Sequence, residues 1–213
     1  MSPPPPSCTI RALHAVDRLY SRCFHQIDVS GQQHVPRTGP AVIVSNHISS
    51  LDPVLIQSTL ARPVVWMMAR EYYDLPLLGP IFRILEVIPV ARDGKDASAL
   101  RAALRTLDNG RVLGIFPEGK IAKTRALNPF ETGAALIASR GNARVHPVRI
   151  EGTPRGGTMA GVFTRPQSVR LHFAPPLAPP CDRSPATLAA ATQAMRDAIQ
   201  SALPAETRIG ARK

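Results

Sequence analysis

Apolar residues recur near the start of the chain in one rhythm and along the rest of it in another. After the prolines at 3–6, Ile10, Leu13, Val16, Tyr20, Cys23, Phe24 and Ile27 follow at three- and four-residue intervals. Arg11, His14, Arg18, Arg22 and His25 fall mostly between them. That period predicts a basic amphipathic helix over residues 9–27. Such a helix can pack on its own domain, lie on an anionic membrane surface, or do both. From residue 40 the pattern changes to short apolar runs at 41–44, 64–68, 87–90, 112–116, 145–150 and 169–173, which read as strands. Helices are expected between them at about 53–60, 76–85, 96–108 and 130–140. Apolar strands alternating with helices predict an α/β fold: a single domain with a largely parallel central sheet flanked by helices. Loops at the carboxyl ends of such strands are the favoured place for a site. The run Ala174-Pro-Pro-Leu-Ala-Pro-Pro180 reads as an extended linker. Ser184-Pro185 then opens a closing helix with the stripe Leu188, Ala191, Met195, Ile199 and Leu203. The expected organisation is therefore a disordered proline-rich leader at 1–8, the amphipathic helix at 9–27, the main domain at 28–175, and linker plus closing helix at 176–213.

Composition adds a partner to this picture. The 213 residues suffice for one domain with a substantial core. With 26 Lys plus Arg against 15 Asp plus Glu, the net charge is +11, so an anionic partner is expected. Three cysteines, Cys8, Cys23 and Cys181, without C-x-x-C spacing, argue against a disulfide framework or a zinc site and fit a reducing compartment. The sequence contains neither a signal-peptide core nor the roughly 18 consecutive apolar residues of a membrane span.

Two segments carry candidate chemistry. The strand 41–44 runs into Ser45-Asn46-His47-Ile48-Ser49-Ser50-Leu51-Asp52-Pro53. Pro53 suits a first helical position, and Asp52 is placed to accept from free N–H groups at the start of that helix. His47 can fold back on the Asp52 carboxylate, which would fix its tautomer and leave the other ring nitrogen to take a proton from a hydroxyl. The plain alternative is a hydrogen-bonded loop histidine beside a helix cap. After the strand 112–116 comes Phe116-Pro-Glu-Gly-Lys-Ile-Ala-Lys-Thr-Arg125, where Lys120, Lys123 or Arg125 could bind an anionic head group while Glu118 orders the cations or a substrate hydroxyl. A solvated basic loop is the alternative there. Gly114 and Gly119-Lys120 also have P-loop spacing, but Ile121 replaces the hydroxyl residue and Gly114 lies within an apolar strand.

Together these segments resemble the glycerolipid acyltransferase family, which includes the 1-acylglycerol-3-phosphate acyltransferases. The resemblance covers roughly residues 30 to 175 and rests on four blocks in family order. Asn46-His47 through Asp52-Pro53 is similar to the N-H-x-x-x-x-D block, in which His is the general base and Asp orients it. Val87-Ile-Pro-Val-Ala-Arg92 resembles the second, which gives Arg92 the acceptor phosphate. Phe116-Pro-Glu118-Gly119 matches the third, whose Glu and Gly help form the acceptor site. Val145-His-Pro147-Val148 resembles the fourth, near the acyl-donor site. Three positions depart from the pattern. Lys120 and Ile121 stand where the third block usually continues with Thr and Arg, making Lys120 the nearest substitute for a second phosphate-binding arginine. Glu131 stands where a cation often follows the phenylalanine, here Phe130.

The resemblance implies transfer of a fatty acyl group from acyl-coenzyme A or acyl carrier protein to the free hydroxyl of a lysophospholipid, above all 1-acylglycerol 3-phosphate. It implies no metal or organic cofactor and a peripheral place on the cytoplasmic face of a membrane. Another lysolipid acceptor, ornithine-type included, is the nearest rival. A basic nucleic-acid-binding module is a further one, although aromatic residues are only 5% and no RRM, zinc-finger or helix-turn-helix signature occurs. A noncatalytic lipid-binding protein on the same fold is the third.

Overall fold

The structure is a computed structural model, which describes residues 7–91, 96–122, 124, 126–155 and 161–202. In chain order its elements are α1 (Cys8–Phe24), β1 (Gln26–Ser30), β2 (Ala41–Ser45), α2 (Asp52–Ser58), β3 (Val64–Ala69), α3 (Arg70–Tyr73), α4 (Gly79–Ile84), β4 (Ile88–Val90), α5 (Ala97–Asp108), β5 (Val112–Ile115), α6 (Gly133–Arg140), β6 (Val145–Glu151), β7 (Ser168–Phe173) and α7 (Pro185–Ser201). The seven strands form one sheet in the order β1-β7-β6-β2-β5-β3-β4. Every pairing is parallel except β6 with β7. The expected α/β architecture with a largely parallel sheet is thus present.

The runs that read as strands owe their character to burial on both sides. Val42 and Val44 join Val65, Leu113, Ile115 and Val145 in a core covered by α5, α6 and α7. Ala41 and Ile43, pointing the other way, meet Leu55, Ile56, Trp66, Ile150 and Phe173 in the core under α2. Strand alternation sends successive side chains to opposite layers, so a central strand such as β2 must be apolar at each position.

Several expectations need correction. The first helix ends at Phe24 rather than at residue 27, and it starts at Cys8, capped by the Ser7 side chain. Ile27 belongs to β1, whose residues Gln26-Ile-Asp-Val-Ser30 alternate exposed and half-buried as befits an edge strand. The region 76–85 is helical only over α4, where Gly79-Pro80 sets a late start. The helix expected at 130–140 begins at Gly133, because the Glu131 N–H donates to Pro117 O instead of entering a helix. Within the expected linker, Leu177 pairs with Val145 in an antiparallel bridge.

The outer helix α1 packs on α2 in an unexpected orientation. His14 Nε2 donates to Gln57 O at 3.2 Å, Gln57 Nε2 donates to Asp17 Oδ2 at 3.1 Å, and Ser21 Oγ donates to Asp17 Oδ1 at 3.2 Å. A partly polar face therefore meets the domain, while Val16 (63% exposed) and Leu19 (65% exposed) face outward. Ala12, Val16, Leu19 and Cys23, spaced four, three and four apart, form one exposed stripe beside Arg11, Arg18 and Arg22.

Burial pushes the Asp17 carboxyl up from 3.8 to about 6, against the lowering by its bonds from Gln57 and Ser21. The folded chain thus holds the Asp17 proton more tightly than the unfolded chain does. Its ionisation weakens the fold as pH rises from about 4 to 6, and above 6 the penalty is complete. Asp17→Asn, which mimics the protonated form, is expected to stabilise the fold by about 1–2 kcal/mol at pH 8, after allowance for the partial hydration of this side chain. The gain should raise Tm by roughly 2–8 °C at pH 8 and vanish below pH 4, as read by thermal unfolding at the two pH values.

Candidate active site

β2 and β5 are parallel neighbours, paired Val44 with Ile115, so the loops that follow them emerge side by side. Those loops carry the two candidate segments. His47 lies two residues beyond β2, and Phe116 follows β5 directly.

The His47–Asp52 pair is formed. His47 Nδ1 and Asp52 Oδ2 are 2.9 Å apart. The carboxylate accepts, so the proton on Nδ1 leaves Nε2 as the basic nitrogen. Nε2 has no hydrogen-bond partner among the described residues, and the side chain keeps 18% of its surface exposed. Asp52 is completely buried, and its Oδ2 also accepts from the backbone N–H groups of Ile48 (2.6 Å) and Ser49 (2.8 Å). This corrects the expected capping role. Asp52 is the first residue of α2, and it closes the preceding turn instead of capping its own helix. Three donors thus meet one carboxylate oxygen where water does not reach it and fix its position.

The third block clamps the first. Gly119 N donates to Phe116 O at 3.0 Å, closing a turn with Pro117 at its second position. Gly119 takes φ +66, a left-handed backbone that favours glycine. Within the turn, Glu118 Oε1 accepts from His47 N (2.9 Å) and Oε2 from Asn128 N (2.9 Å). Beyond it, Ala122 N donates to His47 O at 2.7 Å. Both backbone polar groups of His47 are therefore held by the loop after β5. Glu118 is expected from sequence to order the loop cations or a substrate hydroxyl; among the described residues its two oxygens instead accept from backbone N–H groups. Lys120 is exposed at the rim. Arg92, Lys123 and Arg125 lie outside the described residues.

Three further side chains support the site in roles that the sequence did not show. Asn46 anchors the other side of the turn: its Nδ2 donates to Ile150 O and its Oδ1 accepts from Ile150 N, both at 2.9 Å. The imidazole of His47 stacks on Phe116 with ring centres 3.9 Å apart, and Phe116 stacks on Trp66 at 5.0 Å. Trp66 in turn lies over Gly114, its partner in the β3–β5 register, where an added Cβ would come within 2.3 Å of the indole. This explains a glycine within an apolar strand and leaves nothing of a P-loop. Gly114→Ala is expected to cost about 1–3 kcal/mol through overpacking. Lowered thermal stability together with a shifted emission of Trp66, the single tryptophan, would show that the stack has moved.

The fourth block lies in β6, with Pro147 paired to Val44. Its His146 is buried, and burial first, then the charges of His34, Arg144 and Arg62, bring its pKa down to about 4. His146 is neutral and enclosed at neutral pH, which leaves His47 as the exposed base of the two. Among the described residues no three His, Cys, Asp or Glu side chains gather into a metal-binding group. Cys8, Cys23 and Cys181 are free thiols at the surface. A cavity of about 350 Å³ opens beside this turn, bounded by Asn46, Ile48, Glu118 and the ends of β6 and β7.

An acyltransferase family model matches residues 26–151, more than half of the chain. The chain is 27% identical over 152 residues to a 1-acyl-sn-glycerol-3-phosphate acyltransferase of Borreliella burgdorferi, covering 70% of this chain and 61% of that one. It is 32% identical over 114 residues to the protein of the same name from Helicobacter pylori, covering 52% and 48%. The match thus spans about half to three-fifths of those relatives' length. The crystal structure of the 1-acyl-sn-glycerophosphate acyltransferase PlsC from Thermotoga maritima superimposes with a TM-score of 0.72 at 23% identity, over 90% of this chain and 76% of that one, and shares its fold.

Proposed function

We propose that this chain, which belongs to the acyltransferase family, transfers a fatty acyl group from an acyl thioester to the free hydroxyl of a lysophospholipid, with 1-acylglycerol 3-phosphate as acceptor and phosphatidate as product. The observation that carries this reading is the His47 ring, held at Nδ1 by Asp52 and open at Nε2. Nε2 takes the acceptor's hydroxyl proton as its oxygen attacks the thioester carbonyl, and the tetrahedral adduct then expels the thiolate. The imidazolium, stabilised by Asp52, returns the proton to that thiolate. The new ester C–O bond replaces the broken C–S bond, and no cofactor enters the balance. Glu118 and Asn46 act by positioning His47, and Arg92 and Lys120 are the proposed acceptor-phosphate ligands. The donor is acyl-coenzyme A or acyl carrier protein.

A second acceptor reading rests on Lys120-Ile121 in place of Thr-Arg, which removes a bidentate phosphate ligand and favours another lysophospholipid. A panel of lysolipid acceptors with labelled acyl-coenzyme A, with products identified by mass spectrometry, decides between them. Labelled phosphatidate formed from 1-acylglycerol 3-phosphate supports the first reading. Labelled product from another acceptor alone supports the second, and no acylated product from any acceptor overturns both.

Among the described residues no helix is long and apolar enough to cross a membrane. We place the protein peripherally on the cytoplasmic face, held by the exposed Ala12-Val16-Leu19-Cys23 stripe of α1 and its flanking arginines. Replacing Val16 and Leu19 together by serine is expected to lower partition onto anionic vesicles by about tenfold or more, as measured by flotation. Unchanged partition would show that another surface makes the contact.

A further inference from the structure

The cavity beside His47 has a second wall that the mechanism above does not use. Arg149 and Glu151 lie two residues apart on β6, so they share a face, and Glu151 stands opposite Arg170 in the antiparallel β6–β7 register. Glu151 accepts from Arg149 Nη2 at 2.9 Å and Nε at 3.1 Å, and its other oxygen lies 3.5 Å from Arg170 Nη2. Arg155, just beyond β6, adds a third guanidinium to the same cavity; it is exposed and forms no ion pair among the described residues. Thr153 contributes a buried hydroxyl without a partner. The other acid of the lining is Glu118, whose oxygens are engaged by the backbone N–H groups of His47 and Asn128. One carboxylate, Glu151, therefore stands among three guanidiniums. Two arginines held in place by a shared acid, with a third at the mouth, make a preorganised fork for a multivalent oxyanion.

The position of this fork within the sheet gives it a role. Asn46 and Glu118, which hold the His47 turn, line the cavity together with Ile48, so an anion bound there lies beside the turn that carries His47. β6 and β7 flank β2 on one side of the sheet, and β5, β3 and β4 lie on the other. A transfer between two phosphorylated substrates needs both held beside one base.

We propose that Arg149, Arg155 and Arg170 form a phosphate-ester subsite on the β6–β7 side of the His47 turn, built from residues other than Arg92 and Lys120, with Glu151 as the residue that positions the fork. The inference rests on the acyl-transfer reading for the identity of its ligand, which is the phosphate of either the donor or the acceptor. Binding is therefore measured without turnover. Isothermal titration of the full chain with free coenzyme A, and separately with a short-chain 1-acylglycerol 3-phosphate below its micelle concentration, covers the two sources. Arg155→Ala, an exposed change that spares the Glu151 pairs, is expected to weaken one of these ligands by at least tenfold and leave the other within twofold, with Arg155→Lys restoring part of the loss. Arg170→Gln should weaken the same ligand. Loss confined to coenzyme A identifies the donor phosphate; loss confined to the lysolipid identifies the acceptor phosphate. Unchanged affinity for both, an equal loss of both, or a wild-type chain that binds neither overturns the subsite. Failure of the wild-type chain to transfer acyl groups while these selective losses persist would instead overturn the acyl-transfer reading.

Discussion

His47→Ala is expected to lower kcat for acyl transfer by about 10³-fold or more, because it removes the base proposed to take the acceptor proton. The fold should survive the change. The backbone of His47 is held by Glu118 and Ala122 whatever its side chain, and the imidazole is partly exposed above Phe116. Circular dichroism and thermal unfolding should match the wild type within a few degrees, while thiol release from acyl-coenzyme A in the presence of acceptor falls to background. A variant with wild-type turnover would remove His47 from the chemistry.

The second large effect is expected at Asp52. Asp52→Asn preserves size but not charge, and its amide can place an oxygen where Oδ2 now meets His47, Ile48 and Ser49. The amide nitrogen must then occupy the Oδ1 position, which is buried and has no hydrogen-bond partner. The lost carboxylate no longer stabilises the imidazolium, which is expected to cost about 10²–10⁴-fold in kcat. The stranded amide and the weakened turn should also cost about 1–3 kcal/mol of stability. Acceptor KM should change little, since Asp52 reaches no substrate. A KM effect with kcat preserved would mean that Asp52 shapes the binding site and has no part in the proton transfer.

Legibility in the sequence followed burial and locality. The strands at 41–44, 112–116 and 145–150 could be read because two packed layers demand apolar residues at consecutive positions. β1 could not, since an edge strand with alternating Gln26, Asp28 and Ser30 carries no such run, and Ile27 happened to continue the helical spacing of α1. The His47–Asp52 pair was readable because both partners sit within one turn. Glu118 was visible as a residue but not in its role: it binds the backbone N–H of a residue 71 positions away, and a backbone donor leaves no mark on side-chain pattern. Gly114 is legible only once Trp66 is known to lie across it, and the arginine fork only once β6 and β7 are set antiparallel with Glu151 opposite Arg170. The exposed apolar stripe of α1 was hidden for a different reason. A helical period shows that a face exists, but which face meets the domain was decided here by His14, Asp17 and Gln57.

In the proposed mechanism the acyl group passes directly from thioester to acceptor hydroxyl, with His47 moving the proton and no acyl-enzyme in between. Intact-protein mass spectrometry and thiol release with acyl-coenzyme A alone, followed by addition of lysophospholipid, tests it most directly. Direct transfer gives no covalent acyl adduct and no burst of thiol until the acceptor arrives, and then release equal to acylated product. A stoichiometric adduct and a thiol burst before any acceptor is added would contradict it.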